Sequence, residues 1–106
     1  MPEVILTKRA QDELDGAHKW WAENRSVEQA NRWYAGFVEK MLTLERDPER
    51  CPLAPESEFF PYAVRQLNYG LGRRPTHRAL YTVRRDRVVI LRMRHLAQRP
   101  ITNEDP

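Results

Sequence analysis

Apolar positions recur with two different periods along this chain, and the change of period divides it into elements. Glu3 to Leu6 reads as a short strand, in which the β-branched Val4 and Ile5 lead into Thr7. From Thr7 the period lengthens. Ala10, Leu14, Ala17 and Trp21 stand at i, i+4, i+7 and i+11, one stripe of an α-helix, with Asp12, Glu13, Asp15, Lys19 and Glu23 on its other sides. Gly16 costs this helix stability, and nothing in the sequence accounts for it. Asn24-Arg25 breaks the helix, and Ser26 is the next N-cap, because Ser26-Val27-Glu28-Gln29 has the capping-box form. Ala30, Trp33, Tyr34, Phe37, Val38, Met41 and Leu44 then make a wide second stripe, which runs until Pro48 pushes Asp47 out of helical geometry. Two amphipathic helices with so short a break form an antiparallel hairpin.

The later part of the chain returns to period two. Residues 48–61 hold four prolines, Pro48, Pro52, Pro55 and Pro61. They form an ordered loop rather than a domain linker, since the core on either side is incomplete alone. Phe59-Phe60 is expected to pin that loop to the body. Three strands follow at about Tyr62–Tyr69, Thr76–Arg84 and Arg87–Leu96. The connections, one with Gly70, Gly72 and Pro75 and one the tight Arg84-Arg85-Asp86-Arg87 turn, favour antiparallel pairing. The result is one α+β domain of 106 residues in the order β-α-α-β-β-β, with the helical hairpin on one sheet face. The opposite face is expected to be open, concave and arginine-bearing. The polar tail from Thr102 to Pro106 is expected to fray.

Charge sharpens this picture. The net +3 hides a split: residues 1–61 carry eight basic and twelve acidic side chains, residues 62–106 ten and three. One basic face meeting an anionic partner follows, either nucleic acid or an acidic protein segment. Arg65, Arg73, Arg74, Arg78, Arg84, Arg85, Arg87, Arg92, Arg94 and Arg99 supply it without a single lysine, a choice that favours planar recognition over simple solubility. Cys51 stands alone, which excludes an intrachain disulfide and a cysteine zinc site and fits a reducing, cytoplasmic setting. The three histidines have no familiar metal spacing, no phosphate-binding glycine loop is present, and no membrane span is expected.

The element order, with Val64-Arg65-Gln66-Leu67, then His77-Arg78-Ala79-Leu80-Tyr81, then Val88-Val89-Ile90-Leu91-Arg92-Met93-Arg94-His95, resembles the RelE/ParE superfamily of toxins from bacterial toxin–antitoxin systems. The last run, continued through Ala97 and Pro100, looks most like the ParE-like plasmid stabilisation branch. There the histidine is often followed by small residues and Arg-Asp, whereas Leu96-Ala97-Gln98-Arg99 stands here. The resemblance implies a cytoplasmic growth inhibitor that needs no cofactor or metal and is neutralised by a wrapping antitoxin in a hetero-oligomer. ParE-like members poison DNA gyrase, and RelE-like members cut messenger RNA in the ribosome. It also implies that Arg78 matches the phosphate-contacting strand arginine of the nucleases, that His95 falls near a terminal-strand catalytic histidine, and that Trp20, Arg73 and Arg74 face the antitoxin.

Metal-free RNA cleavage needs a base, an acid and cations for the phosphorane. His77 or His95 can serve the first two needs, and Arg65, Arg78, Arg92 and Arg94 the third. Strand alternation resists this grouping. It sets Arg92 and Arg94 with Val88 and Ile90, and Val89, Leu91, Met93 and His95 on the other, helix-facing side. It likewise sets Arg78, Leu80 and Thr82 opposite His77, Ala79, Tyr81 and Val83. His95 then reads rather as a hydrogen-bonded histidine at a strand end, and any single arginine can be a solvated side chain, although the ten together favour a binding face. Trp21 and Trp33 fit the core stripes, while Trp20 lies at the edge of its stripe. The reading that fits best is a toxin that binds gyrase through the arginine-bearing sheet and the hairpin. A ribosome-dependent endonuclease and a non-toxic antitoxin-binding relative are the alternatives.

Overall fold

Thr7 ends the first strand and starts the first helix. Its hydroxyl accepts the Ala10 N–H at 3.1 Å as an N-cap and donates to the Leu91 carbonyl at 3.1 Å, fixing the helix start against a strand 84 residues away. The computed structural model describes residues 2–98. Within them run β1 (Glu3–Leu6), α1 (Lys8–Asn24), α2 (Val27–Leu42), β2 (Arg65–Tyr69), β3 (His77–Val83) and β4 (Arg87–His95), with 3-10 turns at Thr43–Glu45 and Pro55–Phe59. Arg99, Pro100 and the tail 102–106 lie outside the described residues. No described helix is long and apolar enough to cross a membrane.

Ser26 caps α2 as its sequence requires, its Oγ accepting from the Gln29 N–H at 3.0 Å. The helix stops at Leu42, earlier than Pro48 demands. The Thr43 hydroxyl donates to the Lys40 carbonyl at 2.6 Å, a local bond that competes with the i−4 ladder, and the chain tightens into a 3-10 turn that still buries Leu44.

The sheet order is β1-β4-β3-β2. β2, β3 and β4 form the antiparallel meander that short connections favour, while β1 lies parallel to β4 with Leu6 opposite Ile90, so the sheet is mixed. The hairpin covers one face, where Leu14, Trp33, Phe37, Met41 and Leu44 meet Leu67, Ala79, Tyr81, Val88, Ile90 and Met93. Gly36 lets this happen closely: a Cβ there would sit 2.1 Å from the Tyr69 hydroxyl oxygen.

Two expectations about the sheet are corrected. Val88 and Ile90 face the helices, not the arginine side. The pairing of β3 with β4 shifts between Leu80 and Tyr81, so that Leu80 opposes Arg92 and Tyr81 opposes Ile90 with Leu91 left over. This bulge brings Ile90 and Met93, three residues apart, to the same face. The back of the sheet is not open either. Residues 48–61 cross it as a strap, pairing at Leu53 and Arg65, and close a second small core of Ala54, Val64 and Leu80. Phe60 packs on that core, whereas Phe59 stays exposed.

Candidate functional site

Each of the four strand arginines proposed for a target is set into the fold. Arg78 lies under the strap at 4% exposure, where its guanidinium donates to both carboxylate oxygens of Glu56, itself 0% exposed, and to Gln66 Oε1 at 2.9 Å. Arg65 donates to the carbonyls of Cys51 (2.7 Å) and Glu49 (3.2 Å), holding the strap to β2. Arg92 stands beside the bulge, where β1 has ended and β4 has a free edge. Glu13 of α1 closes that edge: Oε1 accepts the Met93 N–H at 3.0 Å while the carboxylate takes Arg92 as a fork at 2.9–3.1 Å. Arg94 opposes Arg78 across the sheet and is half-buried. Burial first, and then neighbouring Arg92, pull it below the usual guanidinium range.

The solvent-facing arginines of the last third of the chain lie instead in and beside the strand connections. Arg73 and Arg74 are exposed between β2 and β3, where a Cβ on Gly70 would sit 2.2 Å from the Arg74 carbonyl oxygen, so the loop closes only over glycine. Arg84, Arg85 and Arg87 are exposed at the β3–β4 turn, with Arg84 over the Tyr62 ring at 4.6 Å.

Two of the three histidines are brought together. His77 opposes His95 in the β3–β4 register, both on the helix face, with ring centroids 5.0 Å apart. His77 also meets Trp33 edge-on at 4.9 Å, and its Nδ1 lies 2.8 Å from Thr76 Oγ1. Burial, and then the nearby His95, lower the His77 pKa to about 4, which keeps its ring neutral at physiological pH. His95 is exposed, its Nδ1 accepts the Ala97 N–H at 2.9 Å, and its own N–H donates to Gln98 Oε1 at 2.8 Å. A neutral His95 therefore carries its proton on Nε2. His77 and His95 line a cavity of about 520 Å³ between the hairpin and the end of the sheet, which Trp20, Trp21, Trp33 and Met93 also line. Trp20 is 52% exposed at its side. Among the described residues no group of three histidine, cysteine or acidic side chains is placed to hold a metal.

The chemistry available is thus uneven. A neutral imidazole and an exposed one face each other, but Arg78 and Arg92 are engaged by carboxylates. The residues that sequence reasoning did not single out are Glu56 and Glu13, which decide what those arginines do. Their separations of 22 and 79 residues leave no local periodic signal.

The family model for the ParE toxin of the type II toxin–antitoxin system parDE matches residues 4–100. A solved chain of the chromosomal ParDE system from P. aeruginosa superimposes with a TM-score of 0.71 at 22% identity, over 90% of this chain and 96% of that one. The solution structure of a conserved hypothetical protein from Helicobacter pylori aligns over 92% of this chain and 98% of that one, at 19% identity and a TM-score of 0.45. No curated protein matches in sequence. With the family match running from β1 past the end of β4, the chain belongs to the ParE toxin family of type II toxin–antitoxin systems.

Proposed function

We propose that this protein inhibits growth in the cytoplasm by binding DNA gyrase and is neutralised by a cognate antitoxin. The observation that carries this reading is the fate of the strand arginines. Arg78 and Arg92 are each committed to a carboxylate inside the fold, so these two strand cations are not offered to a phosphorane beside the histidines. A binding role asks only for exposed groups, and Arg73, Arg74, Arg84, Arg85, Arg87 and Trp20 are exposed. The same exposed set at the β2–β3 connection and the end of α1 suits an acidic antitoxin segment, with Trp20 as its apolar contact and Arg73 and Arg74 as its charge contacts. Purified protein is expected to block gyrase supercoiling at the concentrations that stop growth. Unchanged supercoiling at those concentrations sinks the proposal.

One observation favours the endonuclease alternative, namely the His77–His95 juxtaposition. It predicts that His95→Ala, a change at an exposed position, abolishes messenger-RNA cleavage in a translation assay. A fully toxic His95→Ala variant that leaves message intact removes that reading.

A further inference from the structure

All three tryptophans of the chain line the one cavity between α1, α2 and the end of the sheet. Its volume of about 520 Å³ falls within the usual range of small-molecule sites. The Trp21 and Trp33 rings lie near parallel at 27° with centroids 6.4 Å apart, and Trp20 stands edge-on to Trp21 at 5.8 Å. Flat aromatic walls of this kind suit a flat ring. The polar end is made by Thr76, His77, His95 and Gln98. The indole N–H groups of Trp21 and Trp33 are closed off behind these walls, with Trp33 itself 0% exposed.

The charge pattern selects the sign of that ligand. Arg25, the C-cap residue of α1, lines the cavity, is exposed and makes no ion pair among the described residues. Glu13, the acid in the lining, is already held by Arg92 and the Met93 N–H. From the Trp20 and Trp21 walls and the unopposed Arg25, we infer that this cavity binds a planar aromatic ring carrying an anionic group. This site shares Trp20 with the surface proposed for the antitoxin but includes none of the exposed arginines at the two strand connections, so it stands whether or not gyrase is the target. A carboxylate and a phosphate both satisfy the chemistry, and an aromatic acid and a nucleotide are the two sources.

The experiment follows the three indole N–H resonances of the ¹⁵N-labelled full chain during titration with indole-3-acetate and, separately, with adenosine monophosphate. Neutral indole serves as reference. One or both anions should move the Trp21 and Trp33 resonances saturably, with a Kd below about 1 mM. Arg25→Ala should weaken that anion about fivefold and leave neutral indole unchanged. Ala17→Trp, which fills the cavity from α1, should remove binding while a dispersed spectrum reports an intact fold. Which anion binds assigns the source. The inference is overturned if neither anion moves these resonances at about 10 mM, if the shifts persist in a folded Ala17→Trp chain, or if Arg25→Ala weakens neutral indole as much as the anion.

Discussion

On one face of the sheet Leu14, Trp33, Phe37 and Met41 press against Ala79, Tyr81, Val88 and Ile90. On the other, a proline-rich strap holds Ala54 and Val64 over Leu80 and sinks Glu56 against Arg78. The first face is closed by apolar area, a non-directional contribution that grows with each methylene buried. The second has too little apolar area for that, and its largest buried groups are ionic. Burying Glu56 and Arg78 is tolerated only because each satisfies the other and Gln66 takes a remaining guanidinium N–H. One layer therefore resists change gradually, the other through a single pairing. The same contrast explains why an arginine-rich sheet has few arginines to offer a target.

The largest expected effects test that contrast directly. Phe37→Ala and Glu56→Ala should each cost about 3–5 kcal/mol in urea denaturation, one through a cavity and the other through an uncompensated buried charge. The second change separates them. Adding Arg78→Met to Glu56→Ala should recover most of the loss, because no charge then remains buried, whereas no single distant change should rescue Phe37→Ala. If the double variant is no more stable than Glu56→Ala, the strap face is held by something other than the ion pair.

An intermediate effect comes from His77, the titratable group at the edge of the helix face. Its folded pKa of about 4 lies below the ordinary 6.5 because burial disfavours the charged ring, with His95 adding to this. Between these values the unfolded chain binds the extra proton, so stability rises with pH. The contribution is complete above about pH 6.5 and is lost as pH falls toward 4. Denaturation midpoints measured from pH 4 to 7 should show this slope, and His77→Gln should flatten it. An unchanged slope in His77→Gln assigns it to the carboxylates instead.

The smallest effect belongs to the outer side of the helix layer. Gly16 is exposed and a Cβ there meets nothing within 4 Å, so no packing reason accounts for this glycine. Gly16→Ala should raise stability by about 0.5–1 kcal/mol through helix propensity alone, read as a shift in thermal midpoint. A loss of stability would show that α1 is not packed as described.

Much of the fold was legible because its signals are local. The stripe through Ala10, Leu14, Ala17 and Trp21, the Ser26 cap and the alternation of His77–Val83 depend on neighbours two to four residues apart. The candidate site was legible only in its ingredients. Strand alternation assigned His77 and Arg78 to opposite faces, as the structure does, but failed at Val88 and Ile90, because a bulge at Leu91 inverts every side chain beyond it.

By itself, then, the sequence determined the order of elements, the helical hairpin, the meander and the excess of arginine in the last third of the chain. Tertiary structure alone decided that β1 joins β4 in parallel, that His77 faces His95, and that Glu56 and Glu13 claim Arg78 and Arg92. The physical reason is range. Periodicity and capping are written in residues within a turn or two of each other, whereas strand register and ion pairing are settled by which distant group the folded backbone brings within bonding distance.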